Sequence, residues 1–162
     1  MRIAGHGISI ELPAGWEGRI SQRAQGGPVL HAATFALRQS DGDFGAAATG
    51  RMRSGDVFAA LLEYRDEDKI RPGVGLFQDI GQPTPAPHEF SAMQLQVTRP
   101  GQFGWQRFFT ADRRTSCLYA VVQPGAEGVD VLVGALALVL ATIERAQRSP
   151  VLTGGAPAPS SS

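Results

Sequence analysis

The chain has 162 residues, 43% of them apolar and 19% charged, a composition that suits one domain around one core. Its 15 basic and 15 acidic residues cancel, so no net field draws it to nucleic acid or to an anionic membrane. A single cysteine, Cys117, excludes an internal disulfide.

Met1 to Glu11 holds no apolar run of signal-peptide length, which makes a cytoplasmic location the expectation. Ile8-Ser9-Ile10-Glu11-Leu12 alternates as a half-buried strand does, and Pro13-Ala14-Gly15 turns the chain. Trp16 to Ile20 returns as a second strand, Ser21 to Pro28 reads as loop, and Val29 to Leu37 resumes strand character. Ser40-Asp41-Gly42-Asp43 is turn chemistry, and Ala46 to Thr49 fits either helix or strand. Ser54 or Asp56 can cap a helix, and Val57, Leu61 and Tyr64 share one side of it, so a short helix is expected near 55–65. Val74 to Ile80 reads as a short strand, Gly81 to His88 as a proline-bearing loop, and Phe90 to Thr98 as an alternating strand.

Phe103 to Thr110 and Ser116 to Gln123 form a hairpin about Asp112-Arg113-Arg114. Phe103, Trp105, Arg107 and Phe109 share one face of the first strand; Leu118, Ala120 and Val122 share one face of the second. A long C-terminal helix is expected near 128–147, on the recurrence of Leu132, Leu136, Val139, Leu140 and Ile143. Its longest apolar stretch is too short to span a bilayer, so no membrane insertion is expected. The fold class that follows is α+β, a twisted and mainly antiparallel sheet with both helices packed on it. Residues 1–148 form a single domain, and 149–162, rich in Pro, Gly, Ala and Ser, form a disordered tail.

Motifs with reactive chemistry are fragmentary. Gly45 to Met52 has phosphate-loop glycine spacing, but Arg51 and Met52 stand where Lys and a hydroxyl residue are needed. Gly73-Val74-Gly75 lacks a third glycine and opens no helix, and Asp43-Phe44-Gly45 reads as a turn. His6, His31 and His88 have no second ligand at metal spacing, and Asp66-Glu67-Asp68 has no calcium-loop pattern around it. Cys117 sits within a strand pattern, not at a helix N-terminus where a thiolate is stabilised. No catalytic residue, cofactor or metal is therefore assigned.

The last helix carries more information. Beyond its core stripe, Val131, Ala135, Leu138 and Thr142 make a second, mostly apolar side. A helix apolar nearly all round is either buried all round or covered by a partner. Trp16, Phe103, Trp105, Val131 and Leu138 are accordingly the candidate partner contacts, with a homodimer as one form of partnership.

The opening Ile8-Ser9-Ile10-Glu11-Leu12-Pro13-Ala14-Gly15-Trp16 resembles the start of the PsbP-like fold family, which includes Mog-type Ran-binding proteins, bacterial lipoproteins and secretion chaperones. The hairpin from Phe103 to Val122, followed by a C-terminal helix ending Val139-Leu140-Ala141-Thr142-Ile143, is similar as well. The resemblance implies a twisted antiparallel sheet flanked by helices and a role in binding other proteins or assisting assemblies, with no shared active site. The expected function is thus a non-catalytic cytosolic protein-binding module, an adaptor or chaperone of a larger assembly. Two alternatives stand beside it. One is a small-molecule binder or enzyme with His31, Tyr64, His88 and Cys117 around a pocket between sheet and helices. The other is a weak nucleic-acid binder using Arg107, Arg113 and Arg114 on the hairpin.

Overall fold

The computed structural model describes residues 1–65 and 71–146, so Asp66-Glu67-Asp68 and the 149–162 tail lie outside the described residues. Eight strands and two α-helices follow in order: β1 Arg2–Gly5, β2 Ile8–Glu11, β3 Glu17–Gln22, β4 Pro28–Ala33, α1 Ala46–Thr49, β5 Val57–Glu63, β6 Phe103–Ala111, β7 Arg114–Val122, α2 Val129–Leu140 and β8 Glu144–Arg145. Five strands form an antiparallel sheet in the order β3-β4-β5-β7-β6, and β1-β2-β8 form a smaller antiparallel sheet. The α+β class and the antiparallel pairing agree with the sequence reading.

The large sheet is apolar on both sides. Leu30, Ala32, Val57, Ala59, Leu61, Trp105, Phe109, Leu118, Ala120 and Val122 face the small sheet and α2. Val29, Ala33, Phe58, Ala60, Leu62, Tyr119 and Val121 face the other way, toward Ala48, Met52, Phe35, Leu37 and Phe44. The second layer is therefore mostly the connection between β4 and β5, folded flat across the sheet, with Leu95 packed on the same cluster. An ion pair fixes that connection. The Arg51 guanidinium meets the Asp41 carboxylate with both nitrogens, at 2.6 and 3.1 Å, and also donates to the Ala36 carbonyl at 2.8 Å. Burial pushes the Asp41 pKa up, but the Arg51 fork and the Arg38 amide outweigh it and hold the carboxyl below its ordinary value.

The helix expected near 55–65 is strand β5, every residue of which is buried. It lies between β4 and β7 with a covered face on each side. A strand buried on both faces loses the polar–apolar alternation that marks a strand, and its apolar run then matches helical spacing by default. Asp56 does not cap a helix. Its carboxylate accepts from the Arg53 amide and the Thr34 hydroxyl in the turn leading into β5.

The long C-terminal helix expected over 128–147 is shorter: α2 runs for 12 residues, Val129 to Leu140. Thr142 ends it by turning its hydroxyl back to the Val139 carbonyl at 2.7 Å and accepting the Glu11 amide at 2.9 Å. The chain then straightens, and Glu144 and Arg145 pair with Ser9 and Ile8 of β2. β-Branched Thr142 and Ile143 suit that extended exit better than another helical turn. Two expected strands are also absent. Residues 74–80 form turns, and the 90–98 segment, preceded by a 3-10 turn at Pro87–Glu89, contributes another at Ala92–Gln94 and a single bridge from Ser91 to Gly104 at the β6 edge.

Gly45 allows the covering layer to approach. Its φ of 68° is left-handed, and a Cβ there would lie 2.1 Å from the Phe58 ring. Gly15 also has a left-handed φ, 86°, but a Cβ there meets nothing within 4 Å. Gly15→Ala is therefore expected to cost about 1 kcal/mol of backbone strain. Gly45→Ala should cost at least ~3 kcal/mol, because overpacking adds to strain. Urea titration of both variants measures the difference; equal losses would refute the close-approach account.

Candidate functional site

The stripe of α2 turned away from the sheet is open. Leu132, Val133, Leu136, Val139 and Leu140 are buried, while Val131 and Leu138 remain 57% and 75% exposed. Gly134 and Ala135 are exposed between them, at the i+3 and i+4 positions from Val131. The second apolar side seen in the sequence is thus a real surface stripe.

A second wall rises beside the C-terminal half of this stripe. The turn from β2 to β3 brings Leu12, Pro13 and half-buried Trp16 alongside Ala135, Leu138, Val139 and Thr142, enclosing a groove of about 430 Å³ with Glu11 at its edge. The Thr142 bonds to Glu11 and Val139 fix the distance between the walls. At the same end of α2, the Gln82 side-chain amide donates to the Leu140 carbonyl at 2.9 Å, satisfying one free helix-end acceptor. The groove is therefore held by hydrogen bonds at its base and lined by apolar groups, the general make-up of a recognition site.

The sequence-derived contact residues separate cleanly. Trp16 and Leu138 come together as opposite walls of the groove, and Val131 lies on the same helix stripe two turns earlier. Trp105 does not belong with them. It has no accessible surface, stacks on Phe90 and donates its indole N–H to Glu89, so it is core and cannot contact a partner. Phe103 packs half-buried against the same core. Leu12, Pro13 and Thr142 were not singled out as contacts, although Leu12-Pro13 is the turn that presents Trp16 and Thr142 belongs to the helix stripe.

The residues of the small-molecule alternative do not converge. His31 and Cys117 sit on the sheet face covered by the β4–β5 connection, whereas His88 is exposed on the 3-10 turn packed near α2. Tyr64 stands edge-on to Phe77 with Arg23 over its ring. The His31 Nε2–H donates to the Asp43 carbonyl at 2.9 Å, and its ring meets Phe58 edge to face. Burial lowers the His31 pKa below 6.5, against the opposing pull of the Asp43 carbonyl and the Asp41 and Asp43 carboxylates. Burial also pushes the Cys117 thiol up to about 11, with only a weak hydrogen bond from Gln106 working the other way.

Of the hairpin arginines, Arg107 bonds Glu89 at 2.8 Å and lies over Trp105, and Arg114 is buried against Glu63 and the Ala146 carbonyl. Arg113 is at the turn with a φ of 64°. Arg51, from the phosphate-loop-like segment, is committed to Asp41. Among the described residues no group of three or more His, Cys, Asp or Glu could hold a metal ion, and no helix is long and apolar enough to cross a membrane. The class these features define is a layered antiparallel α+β domain with an apolar surface groove. No protein-family model, curated protein or solved structure matches the chain.

Two outcomes are expected from the buried groups. The unfolded chain accepts a proton at His31 near pH 6.5, while the folded chain does so only at lower pH. Stability should therefore be complete above 6.5 and fall as pH drops below it. Urea midpoints from pH 7.5 to 5 should show this fall, and His31→Gln should flatten it. Cys117 in the native state should react with a thiol reagent at least ~100-fold more slowly than in denaturant; comparable rates would contradict its burial.

Proposed function

We propose that the protein is a non-catalytic protein-binding module whose contact surface is the groove between the β2–β3 turn and α2. Leu138 carries this reading, since it is 75% exposed at the centre of an apolar wall that the rest of the fold holds in place. Burying one leucine of that size contributes about 1.5–3 kcal/mol. A half-buried tryptophan opposite it is the residue type that anchors interfaces, because it adds much contact area at small entropic cost. The resemblance of the Leu12-Pro13-Ala14-Gly15-Trp16 opening to PsbP-like proteins points the same way, toward an adaptor or chaperone role in the cytoplasm.

The test places a photo-crosslinking amino acid at position 138 in cells that make the protein, with the same label at exposed Met93 as the control. The expected result is a discrete adduct from position 138, with the cross-linked peptide of the partner sequenced and no such adduct from position 93. Leu138→Asp, at a solvent-facing site, should leave the melting temperature within about 2 °C of the parent and reduce partner recovery at least ~10-fold. An absence of any protein adduct at 138 would overturn the reading.

A further inference from the structure

The two edge strands of the large sheet, β6 and β3, are treated unequally. Alternate residues of an edge strand turn their amides and carbonyls outward, where they need a partner. On β6 the outward residues are Gly104, Gln106, Phe108 and Thr110. Gly104 exchanges bonds with Ser91, the Gln106 amide donates to the Gln94 side chain, and Thr110 bonds Gln78 and Gly81. The segment between β5 and β6 thus caps that edge.

The orientation of β3 follows from its neighbours. The Thr34 amide donates to the Val57 carbonyl at 3.1 Å, so the even-numbered residues of β4 bond β5, and Val29, His31 and Ala33 bond β3. Their partners are Ser21, Arg19 and Glu17. Gly18, Ile20 and Gln22 therefore face outward, and among the described residues nothing bonds their backbone amides or carbonyls. The small sheet has an open edge too, at β1. Because Met1 and Leu12 exchange bonds, that 4-residue strand offers only Arg2 and Ala4 there. β3 is 6 residues long and holds no proline, so it is the longer open edge.

Charge selects what can pair with it. Two β3 strands can meet antiparallel about a two-fold axis on any of their residues. An axis at Glu17 or Arg19 sets like charges face to face, and one at Ser21 sets Arg19 against Arg23. An axis at Gln22 leaves Arg19 opposite Gln25. At Ile20 it leaves Arg19 opposite Ser21 and offers Glu17 only Arg23, whose guanidinium already bonds the Gly27 and Glu63 carbonyls. An axis at Gly18 sets Glu17 of each copy against Arg19 of the other and Trp16 against Ile20. Glu17 and Arg19 are both exposed, and Glu17 uses one carboxylate oxygen on the Leu37 amide, leaving the other for Arg19.

We infer that β3 pairs with β3 of a second copy in this register, joining the two large sheets into one. The Gly18 amide of each copy donates to the Gly18 carbonyl of the other, and the Ile20 amide of each donates to the Trp16 carbonyl of the other. Only the backbone of Trp16 is needed, so its side chain remains a wall of the groove. The pairing is thus independent of what the groove binds.

The experiment sediments the full chain over a concentration series reaching about 0.1 mM, where a dimer of micromolar Kd is mostly assembled. A monomer–dimer equilibrium is expected. Arg19→Glu and Glu17→Arg should each weaken it at least ~10-fold, because each turns both cross-strand pairs into like charges. The double exchange should restore the parent affinity, with the circular dichroism of all three variants unchanged. Hydrogen exchange of the parent chain reads the register separately. The Gly18 and Ile20 amides should slow at least ~10-fold from the dilute to the concentrated end, while the Arg19 amide, bonded within the monomer to β4, keeps its rate. A monomer throughout, a dimer indifferent to both single reversals or not restored by the double exchange, or a dimer that only Leu138→Asp dissolves would overturn the inference. So would Gly18 and Ile20 amides whose exchange does not depend on concentration.

Discussion

A sheet whose central strands are apolar on both sides has to be covered twice, and among the described residues only α2 is a helix longer than four residues. β5 and β7 carry buried residues on each face, and α2 with the small sheet covers only one. The opposite face is sealed by a connection whose own helix, α1, is four residues long. Such a connection has little regular backbone bonding to hold it flat. The Asp41–Arg51 pair, the His31 bond to Asp43 and the close seat of Gly45 on Phe58 take that role. The Asp41 carboxylate is buried while Arg51 is partly exposed, so loss of Arg51 would leave a buried charge without its counter-ion, and the polar contacts of this layer matter to it beside its apolar ones.

Covering one face in this way leaves the other side of α2 open. Because the β4–β5 connection stays on its own side, α2 is covered by the large sheet beneath it and flanked by the small sheet, the β2–β3 turn and the segment from Gln82 to Glu89, and these reach only part of it. The exposed stripe is thus a result of topology and not of sparse packing: the inward stripe of the same helix is buried throughout. A 12-residue helix between two sheets of unequal size cannot be enclosed on all sides.

The sequence disclosed what depends on local pattern. The hairpin of β6 and β7 and the face assignments of Trp105, Phe109, Leu118 and Val122 are read directly from alternation, and the register agrees. The two stripes of α2 are equally plain. Where burial removes alternation, as at Val57 to Glu63, strand and helix become indistinguishable by periodicity, and the central strand was misread. Short pairings set by distant residues were also invisible. β8 is two residues long and exists because β2 lies beside it. The groove was half legible: Leu138 and Trp16 could be named from composition and spacing, but their meeting depends on a turn and a helix far apart in the chain.

That separation has a consequence during synthesis. The bonds joining Glu11 to Thr142 span 131 residues, and β2 receives β8 only at positions 144 and 145. As the chain leaves the ribosome, the first wall of the groove emerges 131 residues ahead of Thr142 and waits for the second. A nascent chain that stops short of α2 would present Trp16 with no opposite wall, and so would hold no groove. Possession of the groove therefore reports that synthesis has passed residue 145.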